Sequence, residues 1–531
     1  MAWRGWAGVD TTAGDRAERR RRGMDGGALA ARCVALMVAV VGGCVGTQDA
    51  QPLGEQGAAP PEARPHVVWI SLDTTRADAL GAWAAESHWG LDLPAEQRPT
   101  PRTPILDRLA GEGIRFSTAI APTPTTLASH TSAFSGFDSH GHRVVRNGYP
   151  VPADVRLVPE VLADAGWDTR AVVGASVLES SMGLSRGFRS YLAPEPSGAG
   201  DALAYTLDAR SVTNRALEQL AAHDAVGGPL FLFAHYYDPH MPWTDAPAQI
   251  VEAMSVEGYQ GDFDGTMASI EALGRARRAG RLDPVERRQA RARYLAEVAA
   301  VDVQLSRLFN GLQKHGILDR AVVIVMADHG ETLDDLSSNP YSHGPDVSLI
   351  DIHVPLIVAG FGAVALPSGV VVDEPVGLVD LPATLYGILG LQAEAGVGLD
   401  LSPTWSGGML PERVLFSEAT KPIRLEHQTA WNNLPMERSA IGTGPTAPLQ
   451  LLVRPLAGGA RDLRQVSPGA PAVLGPDAPT RAAARVLLDG LSRWDAEAPP
   501  HRAADFDDAT HRALIELGYL DPETPGPSSA P

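Results

Sequence analysis

Cysteine is nearly missing from this 531-residue chain: only Cys33 and Cys44 occur, both near the start. An internal disulfide in the body that follows them is therefore excluded. Positive charge is also short, with 44 Lys and Arg against 63 Asp and Glu and a formal net charge of −19. That balance argues against a nucleic-acid partner, which would require a basic face to displace counterions. It leaves small anionic substrates open, because a metal site can attract an anion inside an acidic protein. With 44% hydrophobic and 20% charged residues, the composition is that of a globular chain and excludes a wholly disordered or collagen-like one.

Near the start, Arg19 to Arg22 precede an apolar run, Cys33 to Val41, which ends in Val41-Gly42-Gly43-Cys44. A basic segment, a short apolar segment and small residues before a cut site describe a secretory signal. The run is far shorter than the ~20 residues that span a bilayer. Its small-residue stretch ending in cysteine looks like a bacterial lipobox, which implies a lipid on Cys44 and an exported protein held in the periplasm or cell envelope. Residues 45–65 are rich in Gly, Ala, Pro and Gln and read as a flexible tether.

Beyond the tether, buried-strand patterns recur at His66–Leu72, Ile114–Ala119, Ala171–Val173, Leu230–Phe233, Ala321–Met326 and Val354–Ala359. Helical patterns separate them, notably Leu106–Gly111, Pro284–His315 and Asp380–Leu389. This alternation predicts an α/β fold with a mostly parallel central sheet sandwiched by helices. The expected divisions are a signal peptide (1–44), the tether (45–65), a catalytic domain (66–405), a smaller C-terminal α+β subdomain (406–522) and a disordered tail (523–531).

In such sheets ligands bind beyond the carboxyl ends of the strands. Asp73, Asp238 with His240, and Asp328 with His329 stand at three such ends. One Asp after a strand is commonly a turn former, but acids and imidazoles repeated at the same topological position point to a cation site.

Five segments then fall in order: Ile70-Ser71-Leu72-Asp73-Thr74-Thr75-Arg76-Ala77-Asp78, Thr103-Pro104-Ile105-Leu106-Asp107-Arg108-Leu109, Thr126-Leu127-Ala128-Ser129-His130, Asp238-Pro239-His240-Met241-Pro242 and Ala327-Asp328-His329-Gly330-Glu331. Together they resemble the sulfatase family of the alkaline phosphatase superfamily, from about His66 to Leu391. The likeness resumes at Phe416-Ser417-Glu418 and at Leu514–Leu520, which looks like a terminal helix of bacterial members. The resemblance implies an alkaline phosphatase-like fold and a metal-dependent hydrolase or transferase of sulfate or phosphate esters, small-molecule or glycan.

By the same resemblance, Asp73, Asp328 and His329 are metal ligands. A divalent cation there would neutralise charge on the ester and activate an oxygen nucleophile. Carboxylates suit hard cations while imidazole favours Zn or Mn, so Ca, Mn, Zn and Mg all remain open. Thr126 stands where sulfatases carry the cysteine or serine that becomes formylglycine, so no formylglycine is expected. Other branches of the superfamily use a metal-bound threonine on phosphate esters, which makes Thr126 the expected nucleophile or fourth ligand. His240 matches a position that contacts the substrate anion or assists the leaving group. His343, in the loop after Asp328, stands where relatives place an active-site residue and could join Asp238 and His240 around a second metal, while His130, where many members have Arg, is expected to contact the anion.

Two departures weaken the match. Thr74 replaces a second acid, and Val172-Val173-Gly174-Ala175-Ser176 lacks a Lys-x-His pair that grips sulfate in relatives. They leave an alternative reading: a lipid-anchored binding protein on a catalytically degenerate sulfatase scaffold.

Overall fold

The structure, a computed structural model, describes residues 64–86, 99–194, 206–336, 340–419, 436–443, 449–454, 460–466 and 478–499. The leader with Cys33 and Cys44, nearly all of the tether, the Leu514–Leu520 segment and the tail lie outside these residues.

Eight strands form the central sheet: β1 (His66–Leu72), β2 (Ile114–Phe116), β3 (Asp168–Val173), β4 (Ser190–Leu192), β5 (Leu230–Tyr236), β6 (Arg320–Ala327), β7 (Leu356–Gly362) and β8 (Val370–Val372). Their order across the sheet is β8-β2-β7-β6-β1-β5-β3-β4. Runs such as Val67-Val68-Trp69-Ile70 are buried throughout because this sheet is covered on both faces. On one face Trp69 of β1 and Phe233 of β5 meet the edge of Phe134 in α2 (Thr126–Ser135) at 5.2 and 4.9 Å. On the other, Tyr236 bonds Thr213 of α3 (Ala209–Asp224), which packs on the long helix α4 (Pro284–Lys314), as does α1 (Pro104–Glu112).

The sheet is mostly parallel, with one reversal. β7 runs antiparallel to both β6 and β2. Met326 pairs with Leu356, so the chain leaves β6 and enters β7 at the same end of the sheet, with no crossover between them. The segment between, carrying His329 and His343, therefore stays over that end. The expected strand over Ile114–Ala119 divides in two. Ile114–Phe116 joins the large sheet, while Ala119–Ile120 pairs with His353–Val354 and Val376–Gly377 in a small second sheet.

Further along, β9 (Val414–Glu418), β10 (Arg438–Gly442), β11 (Leu449–Arg454) and β12 (Ala460–Gln465) make an antiparallel sheet in chain order. Helix α5 (Ala478–Glu497) covers it, and Leu487 and Leu491 pack on Ala440, Leu451 and Leu463 in a separate small core.

Register aligns the functional ends. Leu72 pairs with Tyr236 of β5 on one side and Ala327 of β6 on the other. The residues that follow these three strands, Asp73, Tyr237-Asp238 and Asp328-His329, therefore leave the sheet at one level.

Candidate active site

Asp73 emerges from β1 with its amide bonded to the Tyr236 carbonyl (2.9 Å). The next residue, Thr74, holds φ at +47°. A β-branched side chain pays for that left-handed conformation in strain, and such strain collects at functional sites. The turn aims the Thr74 amide at Asp328 Oδ1 (3.2 Å), and the Tyr294 hydroxyl of α4 secures the Thr74 carbonyl (2.8 Å). Where relatives place a second acid, this chain uses a backbone donor to orient the acid of another strand.

Asp328 Oδ1 also accepts from the His329 amide (2.8 Å). His329 donates from Nδ1 to the Gly330 carbonyl (2.9 Å), which leaves the lone pair of a neutral ring on Nε2. That atom stands 3.9 Å from Asp73 Oδ1, 3.5 Å from Asp328 Oδ2 and 3.5 Å from Thr126 Oγ1. Thr126 is the first residue of α2, so its hydroxyl sits at the positive end of the helix dipole. All four side chains are fully buried.

Electrostatics and hydrogen bonding agree that this set fits a cation. Burial pushes both Asp73 and Asp328 above the usual carboxylate range; the charge of Asp73 pushes Asp328 further up, while Glu331 adds to the rise of Asp73 against the opposing charge of His343. Burial also holds His329 well below the ordinary imidazole value, keeping it neutral, as a ligand must be. Both oxygens of Asp73 and Oδ2 of Asp328 lack a hydrogen-bond partner. Unpaired carboxylate oxygens at zero exposure are costly unless a positive charge faces them. One atom from each of Asp73, Asp328 and His329 lies within 4.8 Å of the others. Two acids, an imidazole and a hydroxyl together suit Zn, Mn or Mg.

The remaining expected residues divide. His240 and His343 are half-buried at the open edge of the cluster, with ring centroids 4.9 Å apart; His343 lies 4.6 Å from His329. Burial lowers His343, but the carboxylate of Glu331, 3.4 Å from Nδ1, outweighs it with help from Asp73 and Asp328, and the net shift is upward. His240 goes down to about 3 through burial and the charge of His343.

His130 is placed differently. It is fully buried, donates from Nδ1 to the Thr126 carbonyl (2.7 Å) and accepts from Ser71 Oγ at Nε2 (2.8 Å). Helix α2 begins at Thr126, so His130 sits one turn on and faces the sheet. Both ring nitrogens are engaged by protein, which makes it a brace between β1 and the first turn of α2.

Asn147 was not expected. Its Oδ1 accepts from the Leu127 amide (2.8 Å) in the first turn of α2, while its buried Nδ2 lacks a partner. An unpaired amide donor beside Thr126 is suited to an ester oxygen. A lone Asn between Arg146 and Gly148 carries no sequence signal of this. His235 was also missed, although it is the one imidazole within the buried strand β5. A further acid–imidazole cluster, His140 with Glu418 and Asp495, has Arg438 within 3.1 Å of Glu418 and 2.8 Å of Asp495. The guanidinium already supplies the positive charge there.

Comparison with known proteins places this geometry. The family model described as Sulfatase matches residues 65–391. The chain is 27% identical over 341 residues to a multifunctional alkaline phosphatase superfamily protein, PehA, of Trinickia caryophylli, covering 51% of this chain and 64% of that one. It is 23% identical over 368 residues to an ulvan-active sulfatase of Formosa agariphila, covering 64% of each. The chain thus spans slightly under two thirds of the length of both relatives. Among solved structures, the phosphonate monoester hydrolase of Agrobacterium radiobacter superposes with a TM-score of 0.59 at 19% identity, over 82% of this chain and 96% of that one. A protein solved with its substrate D-glucosamine-2-N,6-O-disulfate gives 0.60 at 16% identity, over 83% and 99%. At such identities the structures speak to the fold.

Proposed function

Because the chain belongs to the sulfatase family, we propose that it is a metal-dependent hydrolase or transferase of phosphate or sulfate esters in which Thr126 takes the place of formylglycine. The observation that carries this reading is the approach of Thr126 Oγ1 to within 3.5 Å of His329 Nε2, the imidazole that shares its space with Asp73 and Asp328. Asp73, Thr126, Asp328 and His329 would hold the cation. A cation bound there supplies charge neutralisation for the ester and lowers the pKa of an oxygen nucleophile.

The chain's own groups account for the rest. Thr126 loses its hydroxyl proton and its Oγ attacks the central phosphorus or sulfur in line, forming one bond as the ester bond to the leaving oxygen breaks. The leaving oxygen takes up a proton, and water or an acceptor alcohol then cleaves the threonine ester and regenerates Thr126. The dipole of α2 and the Nδ2 group of Asn147 stabilise the anionic oxygens, in the role that the absent Lys-x-His pair fills in relatives. His240 and His343 stand at the open edge, where they can contact the ester and its leaving group. A threonine alkoxide suits phosphate esters, as in the threonine-using branches of the superfamily, and this favours phosphate among the two chemistries.

The test is an assay of purified protein on aryl phosphate, phosphodiester and aryl sulfate substrates with Mn, Zn, Mg or Ca, beside Thr126→Ala. Cation-dependent turnover that Thr126→Ala lowers by roughly 10³-fold or more is expected. Turnover untouched by that change would refute the reading; tight binding of an ester without turnover would favour a degenerate binding protein. For location, the leader reading predicts that Cys44→Ala abolishes incorporation of labelled palmitate and releases the protein from the membrane fraction.

A further inference from the structure

His235 is fully buried beside the cation ligands, with a ring nitrogen within 4.8 Å of ligand atoms of His130 and Asp328, so its tautomer decides whether it can be a ligand itself. Its Nδ1 accepts a hydrogen bond from the Gly174 amide (3.2 Å), just past the end of β3. Gly174 cannot swing away. Its carbonyl is held by the Leu207 amide (2.8 Å), and a Cβ on it would lie 2.9 Å from the Tyr237 nitrogen and 3.1 Å from the His235 carbonyl oxygen. An amide N–H can only donate, so Nδ1 must be bare, and a neutral ring then carries its proton on Nε2. His235 therefore has no lone pair to offer a cation at Nε2.

That Nε2–H faces a carboxylate. Nε2 lies 3.2 Å from Asp73 Oδ2, off the hydrogen-bond line, and neither atom makes a hydrogen bond elsewhere. The other oxygen of the same carboxylate, Oδ1, is turned to His329 Nε2 at 3.9 Å. Asp73 is thus divided between the cation ligands on one side and His235 on the other. A small turn of the carboxylate about its last bond would align the Nε2–H with Oδ2.

We propose that His235 is a positioning residue: fixed as the Nε2–H tautomer by the Gly174 amide, it donates to Asp73 Oδ2 and so aims Oδ1 at the cation. The inference rests on the cation-site reading above. It also gives a use to the segment Val172–Ser176, which lacks the family's Lys-x-His pair. That stretch supplies the backbone donor that sets the tautomer of a neighbouring strand's histidine.

Two measurements on the full chain test it. In the first, chelator-stripped wild type, His235→Gln and His235→Leu are titrated with Mn²⁺ or Zn²⁺ against a competing chelating dye. Loss of an outer partner of a metal ligand weakens affinity by about 10–100-fold, so His235→Leu should fall in that range. His235→Gln places an amide N–H near the Nε2 position and should recover most of the affinity. Equal affinity in all three proteins would overturn the proposal. In the second, long-range ¹H–¹⁵N spectra of ¹⁵N-histidine-labelled wild type, assigned by comparison with His235→Gln, should show the proton on Nε2. A proton on Nδ1 would overturn it whatever the cation affinities show. Should wild type bind no cation, the proposed function fails instead, and the spectrum alone decides the tautomer.

Discussion

Replacing Asp328 by asparagine separates charge from shape at the centre of the site. Asn has nearly the same volume, and its Oδ1 can still accept from the Thr74 and His329 amides now 3.2 and 2.8 Å from Asp328 Oδ1. What disappears is one negative charge opposite Asp73, with ligand atoms of the two residues within 4.8 Å. At that spacing two unit charges repel by about 3.5 kcal/mol for an effective dielectric of 20. Burial, followed by the charge of Asp73, already pushes Asp328 towards its protonated form, so part of this repulsion is relieved in the wild type. A gain of about 1–2 kcal/mol is left for the variant at neutral pH once that relief is discounted. Asp328→Asn should therefore unfold at higher urea than wild type in the presence of a chelator. Adding the cation should reverse the order. Wild type at 100-fold excess over Kd gains about 2.7 kcal/mol, whereas the variant, with one ligand neutralised, gains little. The assay is urea unfolding in chelator and in Mn, Zn, Mg and Ca. A variant that is less stable in chelator and gains as much from every ion as wild type would refute the reasoning, because no charge would then be stored there for a cation to relieve.

Asn147→Asp keeps the acceptor for the Leu127 amide and removes the Nδ2 donor, so it should fold normally yet lose about 10²-fold in kcat/KM on an anionic ester; unchanged kinetics would remove Asn147 from the site. His142 is fully buried, accepts from the Val144 amide at Nδ1 and donates to Ser132 from Nε2; burial, with the charges of His140 and Arg143, lowers it to about 3. The unfolded chain takes up a proton near pH 6.5 that the folded chain refuses, so stability from this group is full above that pH and falls by about 1.4 kcal/mol per unit as pH drops towards 3. Urea curves of His142→Gln should accordingly converge on wild type by about that slope below pH 6, and parallel curves would contradict it.

Much of the site was legible because its ligands follow buried strands. The apolar runs ending at Leu72 and Ala327 placed Asp73 and Asp328-His329 at one edge, and the parallel pairing of β1 with β6 from His66 to Leu72 makes that placement a matter of register. The reversal of β7 left no trace in its composition, since a strand covered on both faces reads the same in either direction. The contacts of His130 come from helix geometry that its residue type does not carry: one turn past Thr126 on α2, its ring turns to Ser71 of β1. Asn147 could not be found by type at all, and an imidazole in a buried strand marks His235 as unusual without saying what it does. Their roles lie in which backbone amide they meet, Leu127 and Gly174, and those meetings join residues 20 and 61 positions apart.

The family match ends at residue 391, yet the helix that presents Thr126 is held from beyond that limit. Ahead of α2, Ser417 of β9 donates to the Ala121 carbonyl (2.8 Å) and the Glu418 amide to that of Pro122 (3.0 Å). Behind it, His140 stacks on Trp494 of α5 at 3.4 Å and bonds Glu418 (3.1 Å), while Trp494 Nε1 donates to Asp138 (2.7 Å). The small C-terminal sheet and its helix thus fix both flanks of the helix that begins at Thr126, whereas Asp73, Asp328 and His329 hang from the large sheet. Trp494→Ala should separate the two. Trp494 is half-buried, so its loss costs less than the ~3–5 kcal/mol of a core aromatic, and the loosened flank should lower kcat on an ester substrate while the stripped protein still binds Mn²⁺ with an affinity within a few-fold of wild type. Trp494→Phe, which keeps the stack and loses only the Nε1 donor, should restore most of kcat. A loss of cation affinity in step with kcat would mean that the two halves of the site are not held independently.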